Sequence, residues 1–526
     1  MTEDSRHAQF EAISRRDFIR LGTATAALAA IGGAGGCATA SIPNVGKIDY
    51  TRDIIITNCS VIDVIKGKTR PGSSIIIRNG LIQAVESGEM RSPNAITLDA
   101  RGAFIIPGLI DAHCHPTITS AFGIDTADLS RHLAFQKRQF TIGIEYGITT
   151  YRDVGSFPIT LHGMIKDIEA GRLNGPRVAY CNSLLNLNGS HPDIPPTDAH
   201  PLANFIALFT GMVMANFRDY ENMRKIIEKN AKGASLIKLT MDNRSVFCRK
   251  ENIPVYTDEM LDYIFRYADR AGLPVSCHVH RKFGFDRAMK YPINSLEHMV
   301  SDAELSDTDI ELMVKNNVSI VPTMTIALCY LMEEAHDVLP EQFRTDFILN
   351  ELKIRKQYMY TEALQHCDSV IHNKNMEELK KYKSVGIDNL WKNKIHLVDP
   401  ELYFSMILHG TKNLIKMRNA GINIGLGIDA GMPLAYFGGQ YRELEFLSRA
   451  GFRNEEILKI ATINSARILR LQDRIGSIEK GKLADLVFLP VNPLVDVRAY
   501  RTPDIVMKDG KFVFSRKSLP DLAAGA

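Results

Sequence analysis

The sequence predicts an α/β fold, a (β/α)8 TIM barrel with a small β-sandwich built from both chain ends. Eight strand-like segments alternate with helical stretches through the middle of the 526-residue chain. Short β-like runs separated by turn residues occupy both ends. Histidines and a few charged side chains follow the middle strands where these end, and the ends of barrel strands are where barrel enzymes carry their catalytic groups.

The composition is that of an ordinary globular protein, with 45% hydrophobic residues, 23% charged residues and a net charge of +3. It gives no indication of nucleic-acid binding, so we expect a small-molecule substrate. Eight cysteines in a chain of this length do not make a disulfide framework, and we interpret most of them as buried thiols. We also expect a homo-oligomer, although no pattern fixes the number of subunits.

The N-terminal residues 1–40 are interpreted as an export signal. Residues 14–20 (SRRDFIR) match the twin-arginine pattern, and a weakly apolar Ala/Gly run follows over 21–36. That run is too short and too rich in glycine to span a membrane. Residues 38–40 (ATA) offer a cleavage site, and Cys37 is an alternative site of lipid attachment. We therefore predict a periplasmic or otherwise exported protein, either free or a lipoprotein.

Short strands are predicted on both sides of the barrel, which is assigned to residues 105–474. Asn79-Gly80 and Asp509-Gly510 each separate two apolar runs, a strong hairpin signal. We expect residues 46–104 and 475–520 to form the two parts of the sandwich. The predicted strands at the two ends are 54–56, 60–62, 74–77, 81–85, 484–489 and 505–507.

The middle of the chain supplies the barrel strands, and helical patterns such as 258–271 and 302–315 lie between them. Most of these segments are apolar and end in a polar residue. In chain order the predicted strands are 104–115, 147–153, 177–181, 236–239, 274–278, 295–298, 318–322 and 422–429.

His113 and His115 end the first of these strands. Residues i and i+2 of a strand point to one face, so both imidazoles can reach one metal ion. The alternative is a pair of inward-facing histidines that only find hydrogen-bond partners.

Six motifs together resemble the amidohydrolase superfamily, in its imidazolonepropionase-like and prolidase-like branch. The resemblance covers about residues 54–513 and implies a metal-carrying barrel with a small β-sandwich made from both ends. The motifs are PGLIDAHCH at 107–115, GITTYRDVG at 147–155, LEH at 296–298, VPT at 321–323, GIDAG at 427–431 and IGSIEKGKLAD at 475–485.

The resemblance implies two divalent ions, with zinc as the expected metal; manganese, cobalt and iron would also suit such ligands. His113 and His115 would bind the first ion, and His278 and His298 the second. Asp429 would bind the first ion and shuttle the proton.

Lys238 matches the lysine that this branch carboxylates into a bridging carbamate. An ammonium group cannot ligate a metal, so the side chain must be buried, lose its proton and react with carbon dioxide. The alternative is a lysine that forms a salt bridge at the mouth of the barrel.

Three further residues are candidate substrate contacts. His191 closes the segment NGSH, which resembles a Gly-Gly-His loop of this branch but has Ser190 where glycine is common. His280 forms a second His-x-His with His278. It would contact substrate, orient a metal-binding side chain without binding the metal itself, or be inert. Arg152 could bind a substrate carboxylate in bidentate fashion, or pair with Asp153 or another acid.

The interval between the last two barrel strands is abnormally long. Residues 323–421 fill one connection, and Trp391, the single tryptophan, lies there. A connection after a barrel strand lies on the catalytic face, so we expect this insertion to roof the pocket. The alternative is a helical appendage for oligomerisation.

These observations predict an exported, metal-dependent hydrolase of carbon–nitrogen bonds, acting on a dipeptide or an N-acyl amino acid. A metal-bridging hydroxide would attack the carbonyl, and Asp429 would pass the proton to the leaving amine. A lactonase or organophosphate hydrolase on the same binuclear site stays open. So does a mononuclear cyclic-amide hydrolase or deaminase, although Lys238 speaks against a single metal.

Overall fold

The computed structural model describes residues 48–121, 129–191, 213–245, 251–331, 341, 344–385, 400–516 and 523–524. The predicted signal segment with Cys37, and Trp391 in the insertion, lie outside the described residues. Within the described ranges, no helix is long and apolar enough to cross a membrane.

Strands occur at both ends of the described part of the chain and through its middle region. In chain order they are β1 (Asp53–Asp63), β2 (Lys68–Arg78), β3 (Leu81–Ser87), β4 (Ala95–Asp99), β5 (Phe104–Pro107), β6 (Leu109–Cys114), β7 (Ile148–Asp153), β8 (Arg177–Tyr180), β9 (Leu184–Leu187), β10 (Met214–Phe217), β11 (Ile237–Thr240), β12 (Val275–His278), β13 (Ser295–Glu297), β14 (Ser319–Val321), β15 (Leu486–Leu489), β16 (Ile505–Lys508), β17 (Lys511–Ser515) and β18 (Ala523–Ala524).

The helices follow the middle strands. They are α1 (Leu129–Glu145), α2 (Pro158–Glu169), α3 (Tyr220–Ala231), α4 (Asp258–Ala271), α5 (Lys282–Ala288), α6 (Asp307–Lys315), α7 (Met324–Tyr330), α8 (Asp346–Gln357), α9 (Ser369–Val385), α10 (Pro400–Ser405), α11 (Thr411–Asn419), α12 (Gln440–Arg449), α13 (Asn454–Lys459) and α14 (Ser465–Ile468). The described residues also contain three π-helical turns (Tyr358–Glu362, Met406–Gly410, Ile460–Asn464) and two 3-10 turns (Ala363–Gln365, Val497–Arg501).

Strands from both chain ends form one hydrogen-bonded sheet in the order β17-β16-β15-β5-β1-β2-β3, with β4 beside β1. It has an apolar cluster of its own, which includes Ile56, Ile75 and Leu486. The two predicted hairpin turns meet there, because a Cβ atom on Gly80 would lie 2.8 Å from the Asp509 carbonyl oxygen. Glycine is therefore required at Gly80 by close approach as well as by its φ of +77°.

Parallel strands make up the middle region, in a three-stranded sheet β6-β7-β8, a pair β9-β10 and a four-stranded sheet β11-β12-β13-β14. Residues 422–430 lie between β14 and β6. Their backbone is held by single bridges, Ile320 with Ile424 and Cys114 with Ala430. The strand order thus gives separate parallel sheets joined by bridges, and the predicted last strand is not a regular strand of a closed ring.

Helix α4 shows why the helices pack on this layer. Its predicted bounds, 258–271, match the observed ones. Thr257 accepts a hydrogen bond from the Met260 amide at the start, Gly272 in a left-handed conformation ends the helix, and the buried face includes Leu261 and Ile264. Helix α6 begins later than the predicted residue 302, because Ser306 and Asp309 form a capping box.

The described part of the insertion packs on loops that follow β6 and the segment 422–430. The Asn375 amide of α9 donates to the Ser120 carbonyl oxygen over 2.7 Å. His372 Nδ1 lies 3.0 Å from the Tyr436 hydroxyl. Helix α7 directly follows β14, and all of its residues are buried. The insertion is therefore docked on the face of the parallel strands where their carboxyl ends lie.

Candidate metal centre

His113, His115 and Asp429 form one group of side chains, called here the first ligand group. The Nε2 atoms of the two histidines lie 3.2 Å and 2.9 Å from the same Asp429 oxygen. His113 lies in β6 and His115 directly after it, so the spacing of two residues brings both rings to one side, as predicted. Such a set of two imidazoles and one carboxylate fits a divalent transition metal.

His278, His280 and His298 form the second ligand group. Within each group the potential ligand atoms lie within 4.8 Å of one another. His280 was expected to contact substrate, to orient a metal-binding side chain or to be inert, and the structure brings it into the group with His278 and His298. The His113 and His298 rings are 4.6 Å apart between centroids, so the two groups are in contact.

Three residues at strand ends carry unusual backbone angles. His298, Thr323 and Asp429 have φ values of 69°, 46° and 58°, in the left-handed region that L side chains rarely adopt. The Thr323 hydroxyl lies 2.7 Å from His298 Nδ1. Helix α7, which begins after Thr323, is anchored by the Glu443 carboxylate, which accepts from the Met324 and Thr325 amides at 2.7 Å and 2.8 Å. Thr323 therefore holds a predicted ligand in place, although the sequence analysis named it only as the end of the VPT motif and the start of the insertion.

Glu297 was not singled out by the sequence reasoning and is the central anion behind the first ligand group. His113 Nδ1 donates to Oε2 over 2.6 Å, and the Ser276 hydroxyl donates to Oε1 over 2.6 Å. Burial opposes its charge, but Arg152 and Lys238 hold the pKa of Glu297 well below its usual value. With Nδ1 donating to a carboxylate, His113 presents Nε2 as a lone-pair donor to a metal.

The prediction that Arg152 binds a substrate carboxylate is not supported by its surroundings. Its side chain is 4% exposed. The guanidinium donates to the Ala112 carbonyl at 2.5 Å, Ser295 Oγ at 3.0 Å and Glu297 Oε1 at 2.6 Å. The alternative interpretation, an ion pair with an acid, describes it better, and that acid is Glu297 rather than Asp153.

Lys238 lies in β11 and is 3% exposed. Its Nζ atom has no hydrogen-bond partner among the described residues. Burial is the largest cause that lowers the pKa of Lys238, to about 8. Lys238 also adds to the positive potential at the second ligand group, where it lowers the pKa of His278, His280 and His298 after the larger effect of burial. A buried amine without a partner fits the chemistry of a carboxylated lysine.

The protonation of the second ligand group suits metal ligation. Burial lowers the pKa of His280 to about 4 and holds those of His278 and His298 well below the usual value, so these rings are neutral at pH 7. Burial also disfavours the charged form of His115, but the adjacent Asp429 raises its pKa overall. Asp429 stays charged, since His113 and His115 hold its pKa well below normal against the effect of burial.

His191 is buried against the second ligand group, with its ring stacked on that of His278 at 4.1 Å between centroids. Burial lowers the pKa of His191 to about 3, so its ring is neutral. The structure thus brings together His191 with the predicted ligands, and its role as a substrate contact stays a prediction.

Two more buried carboxylates position the backbone of the site and were missed in the sequence. Asp111 accepts from the His113 amide at 3.0 Å and from Gln440 Nε2 at 2.9 Å. Asp242 accepts from the His280 amide at 2.7 Å. Burial raises the pKa of each to about 7. Asp111 is two residues before His113 in the same motif, which is the signal that could have identified it.

Comparison with known proteins agrees with this geometry. The chain matches the amidohydrolase family over residues 104–513. Ochratoxinase from Aspergillus niger is 25% identical over 428 residues, which are 76% of this chain and 73% of that protein.

Two solved structures share the fold. A Xaa-Pro dipeptidase with bound methionine in its active site has a TM-score of 0.64 and 20% identity, over 88% of this chain and 99% of its own. A prolidase complexed with N-methylphosphonate-L-proline has a TM-score of 0.66 and 20% identity, over 88% and 100%. The middle region is therefore an α/β domain of the TIM-barrel-like kind.

Proposed function

The chain belongs to the amidohydrolase family and is a hydrolase, and we propose that it cleaves an amide or peptide-like bond in a dipeptide or an N-acyl amino acid. The observation that carries the proposal is the contact between two ligand groups beside the unpartnered amine of Lys238. One metal ion needs only one such group.

The donor atoms fit two divalent ions. His113, His115 and Asp429 would hold one, and His278 and His298 the other, with the adjacent His280 as a further donor to it. Bound there, the ions would supply a water whose pKa is lowered toward about 7 and would polarise the carbonyl oxygen of the substrate. Zinc is the metal we propose; manganese, cobalt or iron would suit the same atoms.

Lys238 would join the two groups as a carbamate. The neutral Nζ attacks carbon dioxide, a nitrogen–carbon bond forms, and the displaced proton leaves to solvent. The product is an anionic oxygen ligand in place of a cation. The buried, unpartnered Nζ supports this step, because a permanent ammonium group in that position would lack any counter-charge contact within hydrogen-bond distance.

Asp429 would move the proton. Its carboxylate is charged and lies beside both histidines of the first ligand group. It accepts a proton from the attacking water and delivers it to the nitrogen of the leaving amine, which departs poorly as an anion. Glu297 would keep the His113 ring oriented during this transfer.

The substrate class is supported by the names of the relatives, an ochratoxinase, a Xaa-Pro dipeptidase and a prolidase. A lactonase or organophosphate hydrolase would use the same pair of ligand groups. A deaminase or cyclic-amide hydrolase with one metal would not need Lys238 as a bridging ligand.

We further propose that the chain is exported by the twin-arginine route, as residues 14–20 indicate. Cell fractionation tests this. The location of the full chain is compared with that of a variant in which both Arg15 and Arg16 are replaced by lysine. Retention of the wild-type chain in the cytoplasm would contradict export, and labelling with a fatty acid at Cys37 would identify a lipoprotein.

The central test is turnover by protein of known metal content. Protein reloaded with zinc is assayed on dipeptides, N-acyl amino acids, lactones and phosphotriesters, with chelated protein as the control. We expect two ions per chain and the highest kcat/KM on the first two classes. One ion per chain, or activity confined to lactones or phosphotriesters, would contradict the proposal.

A further inference from the structure

We propose that the protein has a second small-molecule site, for a carboxylate, in a cavity between the insertion and α12, with Arg442 as its anion-binding residue. The inference does not depend on the proposed function. None of the residues assigned above to metal, substrate or proton transfer lines this cavity.

The cavity has a volume of about 160 Å³ and lies between α7, α8, the π-helical turn Tyr358–Glu362 and α12. It is several times the roughly 30 Å³ that one water occupies in the liquid, so it can hold a compact organic molecule. π-Helical turns are rare and occur frequently at functional sites. Both ends of this one, Tyr358 and Glu362, line the cavity.

Arg442 is a buried cation without a carboxylate partner. It is 8% exposed, and its guanidinium carbon lies 3.8 Å from the centroid of the Tyr358 ring. No carboxylate of the described residues comes within the 4.0 Å that defines an ion pair with this side chain. An arginine does not lose its proton in proteins, and a buried charge is costly unless it is paired. An anion in the cavity would supply the missing partner.

The other two arginines of the cavity wall are already neutralised. Arg449 forms two hydrogen bonds to Glu351, and Arg501 forms two to Glu445, the latter at 2.5 Å and 2.8 Å. Both pairs are bidentate, the strongest geometry for this type of ion pair. Arg442 is thus the arginine of the cavity wall that has no carboxylate partner among the described residues and that can bind an anionic ligand.

The shape of a guanidinium selects a planar carboxylate, which it can bind through two parallel hydrogen bonds. Glu362 lines the same cavity, accepts from the Tyr441 hydroxyl at 2.6 Å and has Arg501 at 3.4 Å. Its carboxylate offers a position for an ammonium group. The ligand is therefore a small carboxylate, either a simple acid or an α-amino acid, whose amino group would add a contact to Glu362.

Propionate and alanine are the matched probes, since they differ only in the amino group. Saturation-transfer NMR on the metal-loaded full chain should give a signal for at least one of them. Arg442→Met should reduce that signal at least fivefold, and Arg453→Met, at a surface arginine that is 69% exposed, should leave it unchanged. Either acid could also bind the metals, and the part of the signal that Arg442→Met removes reports the cavity alone.

A second variant tests the proposal independently, in case Arg442→Met misfolds. Ile354→Trp, at a half-buried position of the cavity wall, fills the cavity while Arg442 stays, and it should remove the same signal. If alanine binds and propionate does not, Glu362→Gln should abolish the alanine signal. Equal signals in the wild type and in both variants, or no signal for either probe, would overturn the proposal. Stronger binding of inorganic phosphate than of both probes would overturn the carboxylate assignment.

Discussion

The two ligand groups of the site are built differently. The first combines two imidazoles with Asp429, and the second ring nitrogen of each histidine is held, that of His113 by Glu297 and that of His115 by the Gly155 carbonyl. The second group consists of three imidazoles. Among the described residues, His278 Nε2 and His280 Nδ1 have no hydrogen-bond partner.

The two groups differ in the source of the negative charge that would balance a bound metal ion. The first group contains its own anion, and Glu297 adds another behind it, so its rings are oriented for a metal before the ion arrives. The second group contains neutral rings and faces the cation Lys238. It has no anion of its own, and conversion of Lys238 into a carbamate, as proposed above, would supply one.

The strongest test of the first group is Asp429→Asn. Asparagine has the same shape and tolerates a positive φ, so the backbone should persist while the proton acceptor is lost. We expect kcat to fall by at least about 100-fold, the usual scale for a positioned acid–base group. Steady-state kinetics with metal analysis of the same sample measures this, and full turnover with metal retained would remove Asp429 from proton transfer.

Lys238→Ala tests the second group. We expect the protein to lose one of its two ions and to lose turnover by about tenfold or more, because the remaining ion polarises the carbonyl alone. Short carboxylic acids such as formate should restore part of the activity by replacing the carbamate. Lys315→Ala, at an exposed lysine of α6, is the control. Full activity with two ions bound in Lys238→Ala would show that the bridging role is wrong.

Glu297→Gln distinguishes the two groups from each other. The amide cannot balance the charge of Arg152 or orient the His113 ring as well, so affinity for the first ion should fall roughly 10- to 100-fold. Affinity for the second ion should change much less. Competition with a chelator, followed by metal analysis, measures both constants, with the exposed Glu311→Gln as control. Equal weakening of both sites would contradict a role specific to the first.

The smallest expected effect concerns the insertion. Asn375→Leu removes the hydrogen bond to the Ser120 carbonyl, in the loop after the first ligand group. If the insertion roofs the pocket, KM should rise roughly 3- to 10-fold, the scale of one buried hydrogen bond, with the metal content unchanged. Asn373→Leu, at an exposed position of the same helix, should leave KM alone. A changed mass in solution with unchanged KM would favour the oligomerisation alternative.

Local sequence patterns were sufficient for the strands that carry or lead to the histidines and Lys238, and for the hairpins at Gly80 and Gly510, whereas the segment that carries Asp429 is held by single bridges and is not a regular strand. They were not sufficient for the groups that orient the ligands. Glu297 contacts His113 across 184 positions of sequence, and Glu443 contacts Thr325 across 118. Such contacts depend on how distant strands and helices pack, so the hydrophobic periodicity of the sequence does not predict them. The acid partner of Arg152 could not be named for the same reason, because Glu297 is remote in the chain.

The left-handed angles at His298, Thr323 and Asp429 have a thermodynamic consequence. Each costs on the order of 1 to 3 kcal/mol, so two of the predicted ligands, and the threonine that contacts one of them, are held in strained conformations. A metal that binds the folded chain and not the unfolded one offsets this cost, by about 2.7 kcal/mol when the free ion is at 100 times its Kd. Bound ions would then stabilise the folded chain as well as take part in the reaction. Chelation should lower Tm, and substitutions that relax these three residues should raise the stability of the metal-free chain while they weaken its hold on metal.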